Sequence, residues 1–330
     1  MKENKKIAMV TGITGQDGSY LVRLLLNKGY TVIGLKRRTS IIATERIDDL
    51  IDHPNFMLRY WSLHDPSTLY HLLREYKPRE FYNLAAQSHV RVSFEVPEET
   101  VDTIAMGTLR ILEAIRYVDP SIKFYQASSS EMYGDNPTIP QDENTRLTPA
   151  SPYACAKVFA HNLCRNYRES YGMHISCGIL FNHESPLRGE TFVTRKITRA
   201  AARIKLGIQK KLYLGNLEAR RDWGFAGDYV EAMWMMLQHD TPDDYVIATG
   251  EAYSVREFLH KVFEIAELSV EKYVSFDKRL LRPHEVPFLL GDASKAKAIL
   301  GWEHKVRIDD LAKMMYDYDL SEQKKGVLLK

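Results

Sequence analysis

An α/β fold with a doubly wound, mostly parallel sheet and a second, smaller α/β unit is predicted by three features of the sequence. Apolar runs of strand length recur through the first half with helix-length amphipathic stretches between them, the alternation a parallel sheet requires. The first of these runs feeds a loop with a glycine at every third position. A tyrosine and a lysine four residues apart follow a Ser-Pro pair that reads as a helix start.

The first strand is Ile7-Ala8-Met9-Val10, and Leu21, Leu24 and Leu25 mark the helix after it, closed at Gly29. Between them lies Thr11-Gly12-Ile13-Thr14-Gly15-Gln16-Asp17-Gly18. Glycines at a strand-to-helix turn let backbone approach a pyrophosphate, and the helix N-terminus attracts its charge, so the loop reads as that of a dinucleotide-binding (Rossmann) unit. The second strand, Thr31 to Leu35, ends at Lys36-Arg37-Arg38. An NAD enzyme usually carries an acid there for the ribose hydroxyls. Arginines instead accept a 2′-phosphate and point to NADP; a solvated basic loop would have the same composition.

Phe56 to Leu63 is the third strand, with Leu69, Leu72 and Leu73 marking the helix after Asp65. The fourth, Phe81 to Ala86, runs into the small-residue turn Ala85-Ala86-Gln87-Ser88, where backbone can approach a ligand. Val101, Ile104, Leu112 and Ile115 predict one long helix, with Gly107 inside it at a cost unless close packing needs the missing side chain. Lys123 to Ala127, the fifth strand, delivers Ser128-Ser129-Ser130-Glu131 to the carboxyl end of the sheet, the edge at which such folds bind ligands. Serines at a strand end also serve as helix caps.

In Ser151-Pro152-Tyr153-Ala154-Cys155-Ala156-Lys157 the i, i+4 spacing puts Tyr153 and Lys157 on one helix face. A lysine held near a tyrosine favours the phenolate and brings its pKa towards neutrality, as a general base requires. The same spacing also occurs on exposed helix faces with the lysine solvated. A strand from Ile175 to Phe181 completes a first domain over 1–181, and 182–330 forms the second, with about 225–250 expected to return to the first. In the second, Phe192, Val193, Ile197, Ala200, Ala201 and Ile204 give an apolar helix face. Met233, Trp234, Met235 and Met236 read as core, and Ser254 and Glu257 have capping-box spacing.

The net charge of +2 comes from 45 basic and 43 acidic residues, so nothing global attracts nucleic acid or a membrane surface. Cys155, Cys164 and Cys177 lack metal-ligand spacing and leave an odd count for pairing, which suggests no metal site and a reducing compartment. No run reaches membrane-spanning length, and the start lacks the apolar region of a signal peptide; a cytoplasmic location is expected.

The glycine loop with Ser19-Tyr20, the Ser129/Glu131 strand end and the Tyr153/Lys157 pair together resemble the extended short-chain dehydrogenase/reductase family. Asn182-His183-Glu184-Ser185-Pro186-Leu187-Arg188-Gly189-Glu190-Thr191-Phe192-Val193-Thr194-Arg195-Lys196-Ile197 and Leu214-Gly215-Asn216-Leu217-Glu218-Ala219-Arg220-Arg221-Asp222-Trp223-Gly224 narrow the likeness to the GDP-mannose 4,6-dehydratases, from about Lys6 to the end of the chain. The resemblance implies a redox-neutral lyase on a GDP-sugar, with a tightly bound NADP recycled in each turnover. By the same likeness Tyr153 takes the sugar O4 proton as hydride leaves C4, Lys157 holds Tyr153 and the nicotinamide ribose, and Ser129 bonds the C4 oxygen. Glu131 abstracts the C5 proton, which an epimerase does not need.

Cofactor contacts implied by the resemblance are Gly12, Gly15, Gln16, Asp17, Gly18, Arg37, Arg38, Leu63, Leu84, Ala86, Ser88, His183 and Arg188, with Tyr153 and Lys157. Ser62 joins them where the family usually has aspartate, in Trp61-Ser62-Leu63 rather than Gly-Asp-Leu. Substrate contacts are Ser88, Asn182, Lys196, Gly215, Arg221, Arg282 and Glu285. Leu280-Leu281 replace two aromatic residues of the family, which leaves a GDP-linked heptose as a second candidate substrate. The dinucleotide loop alone would also suit a reductase or epimerase of the same fold, or a dinucleotide-sensing regulatory protein without catalysis. In the family the Arg37-Arg38 loop reaches a neighbouring subunit's cofactor, so a homo-oligomer, dimer or tetramer, is expected.

Overall fold

The structure is a computed structural model and describes residues 6–281 and 283–328; Arg282 lies outside the described residues. Along the chain the first half alternates as expected: β1 (Ile7–Thr11), α1 (Gln16–Asn27), β2 (Thr31–Lys36), β3 (Phe56–Tyr60), α2 (Pro66–Tyr76), β4 (Glu80–Asn83), α3 (Val90–Glu95), α4 (Pro97–Val101), α5 (Gly107–Val118), β5 (Lys123–Ser129), α6 (Pro152–Tyr171) and β6 (Ile175–Leu180). After β6 come β7 (Asn182–Glu184), α7 (Val193–Lys205), β8 (Leu212–Leu214), β9 (Arg220–Phe225), α8 (Ala226–Gln238), β10 (Asp244–Ile247), β11 (Ala252–Ser254), α9 (Val255–Ile265), α10 (Val270–Tyr273), β12 (Val274–Phe276), β13 (Phe288–Leu289) and α11 (Ile308–Leu328).

Seven strands form one parallel sheet in the order β10-β6-β5-β4-β1-β2-β3. The strand order reverses between β1 and β4, which leaves a crevice outside their carboxyl ends. Because the sheet is covered on both faces, its strands are almost continuously apolar. One face packs Leu21, Val22 and Leu25 of α1 with Val230, Met233 and Met236 of α8. The other packs Leu69, Leu72 and Leu73 of α2, Ile111 and Ile115 of α5, and Cys164 and Tyr167 of α6. The second unit is built on β9, which pairs with β7, β11 and β13, and on a cluster that joins α7, α9 and α11 through Ile197, Phe258, Phe263, Leu311 and Met315.

Two elements depart from their expected bounds. The third strand stops at Tyr60 rather than Leu63, because its partner β2 ends at Lys36: the Trp61 N–H makes the last rung of the ladder to the Lys36 carbonyl, and the chain then turns. Trp61 Nε1 seals that turn by donating to the Asp65 carbonyl at 2.7 Å. The single long helix expected over Val101 to Ile115 is interrupted by a π-helical turn at Asp102–Met106 before α5 begins at Gly107. Gly107 is there because a Cβ would come within 2.9 Å of Leu63 Cδ2. Arg110 spans the break with hydrogen bonds of 3.1 and 2.8 Å to Asp102 and one of 3.2 Å to the Leu63 carbonyl. Among the described residues no helix is long and apolar enough to cross a membrane.

Candidate active site

The crevice at the sheet's carboxyl edge continues beneath the second unit as one cleft of about 880 Å³. That is at the upper end of the range for small-molecule sites. Its floor is the β1–α1 loop. Gly12 takes a φ of +66°, which glycine adopts without strain, and a Cβ there would lie 3.0 Å from Ala85 N. A Cβ on Gly18 would fall 2.4 Å from the Gly12 carbonyl oxygen, so helix and loop pack backbone to backbone. Thr11 fixes the neighbouring edge: its hydroxyl donates to Asn83 Oδ1 at 2.9 Å and accepts from the backbone N–H groups of Leu84 and Ala85 at 3.0 Å each.

Gly15 caps α1 without a side chain, so no acceptor of its own competes for the first N–H groups of the helix. A backbone cradle in which side chains would collide, ending in a glycine-capped helix, fits a dinucleotide pyrophosphate. Gln16 and Asp17 tie this helix start to β7 and the residue after it. Gln16 Nε2 donates to the His183 carbonyl at 3.0 Å and its Oε1 accepts from Ser185 Oγ at 2.8 Å. His183 Nε2 lies 3.0 Å from Asp17 Oδ2. Burial alone would raise the Asp17 pKa, but the charge and hydrogen bond of His183 overcome it and hold the carboxyl at about 2. His183 is raised in return, against a burial effect of opposite sign.

The groups expected from the sequence to react stand at the end of β5 and on α6. Ser151 starts α6 by accepting from Ala154 N at 3.1 Å, with Pro152 in the first turn. From the first and second turns, Tyr153 and Lys157 share a face and are 8% and 5% exposed, so neither is a solvated surface group. Lys157 Nζ donates to the Ala127 carbonyl at 2.6 Å and lies 5.7 Å from the Tyr153 ring centroid. The expected fall in the tyrosine pKa is not what this geometry gives. Burial pushes the Tyr153 phenol up to about 12, a hydrogen bond with Ser129 pulls the other way, and the charge of Glu131 adds to the rise. Lys157 is turned to a carbonyl rather than to the phenol, and burial brings it down to about 8.

Glu131 is buried at the start of a 3₁₀ turn, where its N–H donates to Ser129 Oγ at 3.3 Å. Across the cleft Arg221 Nε stands 4.0 Å from Glu131 Oε1, while Arg221 Nη2 bonds Glu285 Oε1 at 3.2 Å. Strand alternation in β9 sends Arg221 and Trp223 into the cleft and Asp222 behind it. The Asp222 carboxylate accepts from the Thr249 N–H and hydroxyl at 2.9 and 2.7 Å and from Gly250 N at 2.9 Å. This clip fixes the strand that carries Arg221.

Of the residues singled out from sequence, Gly12, Gly15, Gln16, Asp17, Gly18, Arg37, Ser62, Leu63, Leu84, Ala86 and Ser88 line the cleft, as do Ser129, Glu131, Tyr153, Lys157, Asn182, His183, Arg188, Lys196, Gly215, Arg221 and Glu285. Arg38 does not; its guanidinium turns back to the Thr39 carbonyl. Sequence reasoning missed Arg46, which lines the cleft while donating to the Leu187 and Thr14 carbonyls at 2.8 and 3.2 Å. It sits on neither a motif nor a periodic face, so only the fold brings it there.

The chain matches the family model described as GDP-mannose 4,6 dehydratase over residues 9–315. It is 56% identical to GDP-mannose 4,6 dehydratase 1 of Arabidopsis thaliana, covering 98% of this chain and 92% of that protein. Identity to GDP-mannose 4,6-dehydratase of Sinorhizobium fredii (strain HH103) is 52%, with 96% and 97% covered. Among solved structures it is similar to dTDP-glucose 4,6-dehydratase from Bacillus anthracis in complex with NAD, with a TM-score of 0.85 at 22% identity over 98% of this chain and 99% of that one. At that identity the last likeness shows the fold.

Proposed function

The chain belongs to the GDP-mannose 4,6-dehydratase family, and we propose from that premise that it converts GDP-mannose to GDP-4-dehydro-6-deoxy-D-mannose with loss of one water. The observation that carries this reading is the buried carboxylate of Glu131 in the same cleft wall as Tyr153 and Ser129. Oxidation or epimerisation at C4 needs a base for the O4 proton but has no use for a second acid–base group at C5.

In this account Tyr153 takes the O4 proton as hydride leaves C4, with Ser129 bonded to the same oxygen and the charge of Lys157 on the same helix face. The resulting C4 carbonyl acidifies the hydrogen on C5, and Glu131 removes it. Tyr153 passes its proton to the C6 hydroxyl, which departs as water, and Glu131 returns a proton to C5 as C6 is reduced. A nicotinamide dinucleotide held by the Gly12–Gly18 loop supplies the acceptor and the returning donor of that single hydride, so none is consumed. Lys196 and Arg221 are the cations we assign to the nucleotide diphosphate and sugar, with Asn182, Ser88, Gly215 and Glu285, a reading supported by the presence of all six in the cleft lining.

NADP is the dinucleotide we assign, supported by Arg37 in the cleft lining beyond β2 and by the absence of an acid in Lys36-Arg37-Arg38. Ser62 and Leu63 line the cleft on that side. A homo-oligomer is supported by Ile41 and Ile42, which stand 71% and 78% exposed just past the two arginines. The three cysteines are free thiols, in keeping with a reducing, cytoplasmic setting. Purified protein incubated in parallel with GDP-mannose and a GDP-linked heptose, with products identified by mass, tests the assignment. Loss of water from GDP-mannose without net reduction of NADP is expected; turnover of the heptose alone, or of neither, overturns it.

A further inference from the structure

Three consecutive residues at the carboxyl end of β5 each face one residue on the buried stripe of α6. The Ala127 carbonyl accepts from Lys157 Nζ at 2.6 Å, and Ser129 stands by the Tyr153 phenol, whose rise in pKa it opposes. Between them Ser128 Oγ meets His161 Nδ1 at 3.0 Å. Spaced i, i+4 and i+8, Tyr153, Lys157 and His161 lie along one helix face. The first two line the cleft, whereas His161 sits one turn deeper and is buried outside the lining.

The far side of His161 faces an acid at longer range. Its Nε2 is 3.7 Å from Asp244 Oδ2 on β10, with Cys177 of β6 beside it. Two hydrogen bonds of 3.0 and 3.1 Å from Arg168 bind Asp244, and Arg165 Nε lies 3.5 Å away. Potential ligand atoms of His161, Cys177 and Asp244 all fall within 4.8 Å of one another, the geometry of a metal site among the described residues. The chemistry argues otherwise, because two guanidinium groups already face Asp244 and burial keeps Cys177 a thiol. Either imidazole tautomer keeps the bond between Nδ1 and the Ser128 hydroxyl, which can donate or accept.

We propose that His161 is a positioning residue for the Tyr153–Lys157 pair: through Ser128 it pins α6 to the end of β5 and so sets where phenol and ammonium stand relative to Ser129 and Glu131. The proposal rests on the dehydratase reading. In that reading Ser129 and Tyr153 turn to the sugar and Lys157 exchanges the Ala127 carbonyl for a ribose oxygen, so one of the two hydrogen bonds between strand end and helix is released. The Ser128–His161 bond is touched by none of these steps and holds the register throughout.

A drift of about 1 Å in a catalytic pair can cost on the order of a hundredfold in rate. His161→Ala is therefore expected to lower kcat for GDP-mannose dehydration by about tenfold to a hundredfold. KM should change by less than about threefold, because Lys196 and Arg221 stand on α7 and β9, away from α6. His161→Asn keeps an amide near the Nδ1 position and should recover most of kcat. Ser128→Ala should match His161→Ala, and the double variant should be no worse than either, since both remove one bond. A wild-type kcat in folded His161→Ala, or losses that multiply in the double variant, would overturn the proposal. Should His161→Ala fail to fold, Ser128→Ala decides alone, wild-type kcat being the overturning result. No turnover by the wild-type protein overturns the dehydratase reading and this proposal with it, whereas wild-type turnover with unaffected variants overturns only the role of His161.

Discussion

Replacing Glu131 by glutamine changes the chemistry of the cleft while leaving its shape. The two side chains have nearly the same volume, and glutamine can still face Arg221, which stands 4.0 Å from the carboxylate. At that distance a charge pair with an effective dielectric constant near 20 is worth on the order of 4 kcal/mol before desolvation is subtracted. The loss to folding is buffered because Glu285, 3.2 Å from Arg221, still neutralises the guanidinium. The melting temperature should therefore move by only a few degrees, about 1 kcal/mol for a domain of this size. Catalysis has no such substitute. A positioned acid–base group contributes about a hundredfold to ten-thousandfold, or roughly 3–5 kcal/mol of barrier.

Dehydration of GDP-mannose by Glu131→Gln, followed by mass spectrometry, should fall within that range. Exchange of the C5 hydrogen with D2O should fall with it. Oxidation at C4 should survive and become visible in a single turnover as reduced dinucleotide. Product formation within about fivefold of wild type, or loss of C4 oxidation equal to the loss of dehydration, would refute the division of labour between Glu131 and Tyr153.

Three further outcomes follow from the same geometry. With Tyr153 near 12 and Lys157 near 8, the fraction of molecules carrying both a phenolate and an ammonium grows about tenfold per pH unit below 8 and is level above it; kcat/KM should trace that shape, and a flat profile between pH 6 and 8 would contradict it. The Asp17 carboxyl, lowered from 3.8 to about 2, contributes stability that is present above 3.8 and lost as pH falls through 2, while the raised His183 contributes below its unfolded value and loses it as pH rises. Asp17→Asn should drop the His183 pKa below 6.5 in an NMR titration, because burial and the Arg188 charge then outweigh the hydrogen bond to the Phe181 carbonyl, and a value unchanged from wild type would rule out the pair. Arg37→Ala should weaken NADP binding by about tenfold or more and leave NAD binding within about twofold, as removal of one charge-assisted contact to a 2′-phosphate requires; equal losses for both dinucleotides in calorimetry would dismiss Arg37 as the discriminator.

The framework was legible because its signals are local. Glycines at the β1–α1 turn, the period of Leu69, Leu72 and Leu73, and the four-residue step from Tyr153 to Lys157 each depend on a few neighbouring residues, and the sheet edge gathers them. What escaped depends on distant partners. β3 ends early because its partner β2 runs out at Lys36, and Asp102–Met106 becomes a π turn where Gly107 packs on Leu63. Arg46 reaches the cleft by bonding carbonyls of two segments, one of them 141 residues away. The phenol of Tyr153 shows the same limit: spacing places Lys157 beside it, but the burial that raises its pKa is supplied by the assembled cleft.

The central claim is that one hydrogen moves from C4 to C6 of the same sugar while water leaves. GDP-mannose deuterated at C4, incubated with the protein and a trace of NADP, tests this most directly by NMR of the product. The account predicts a dehydrated 4-keto sugar with the deuterium on C6 and no net reduction of the dinucleotide. Deuterium left on C4, or retained on the dinucleotide in proportion to product, would contradict it.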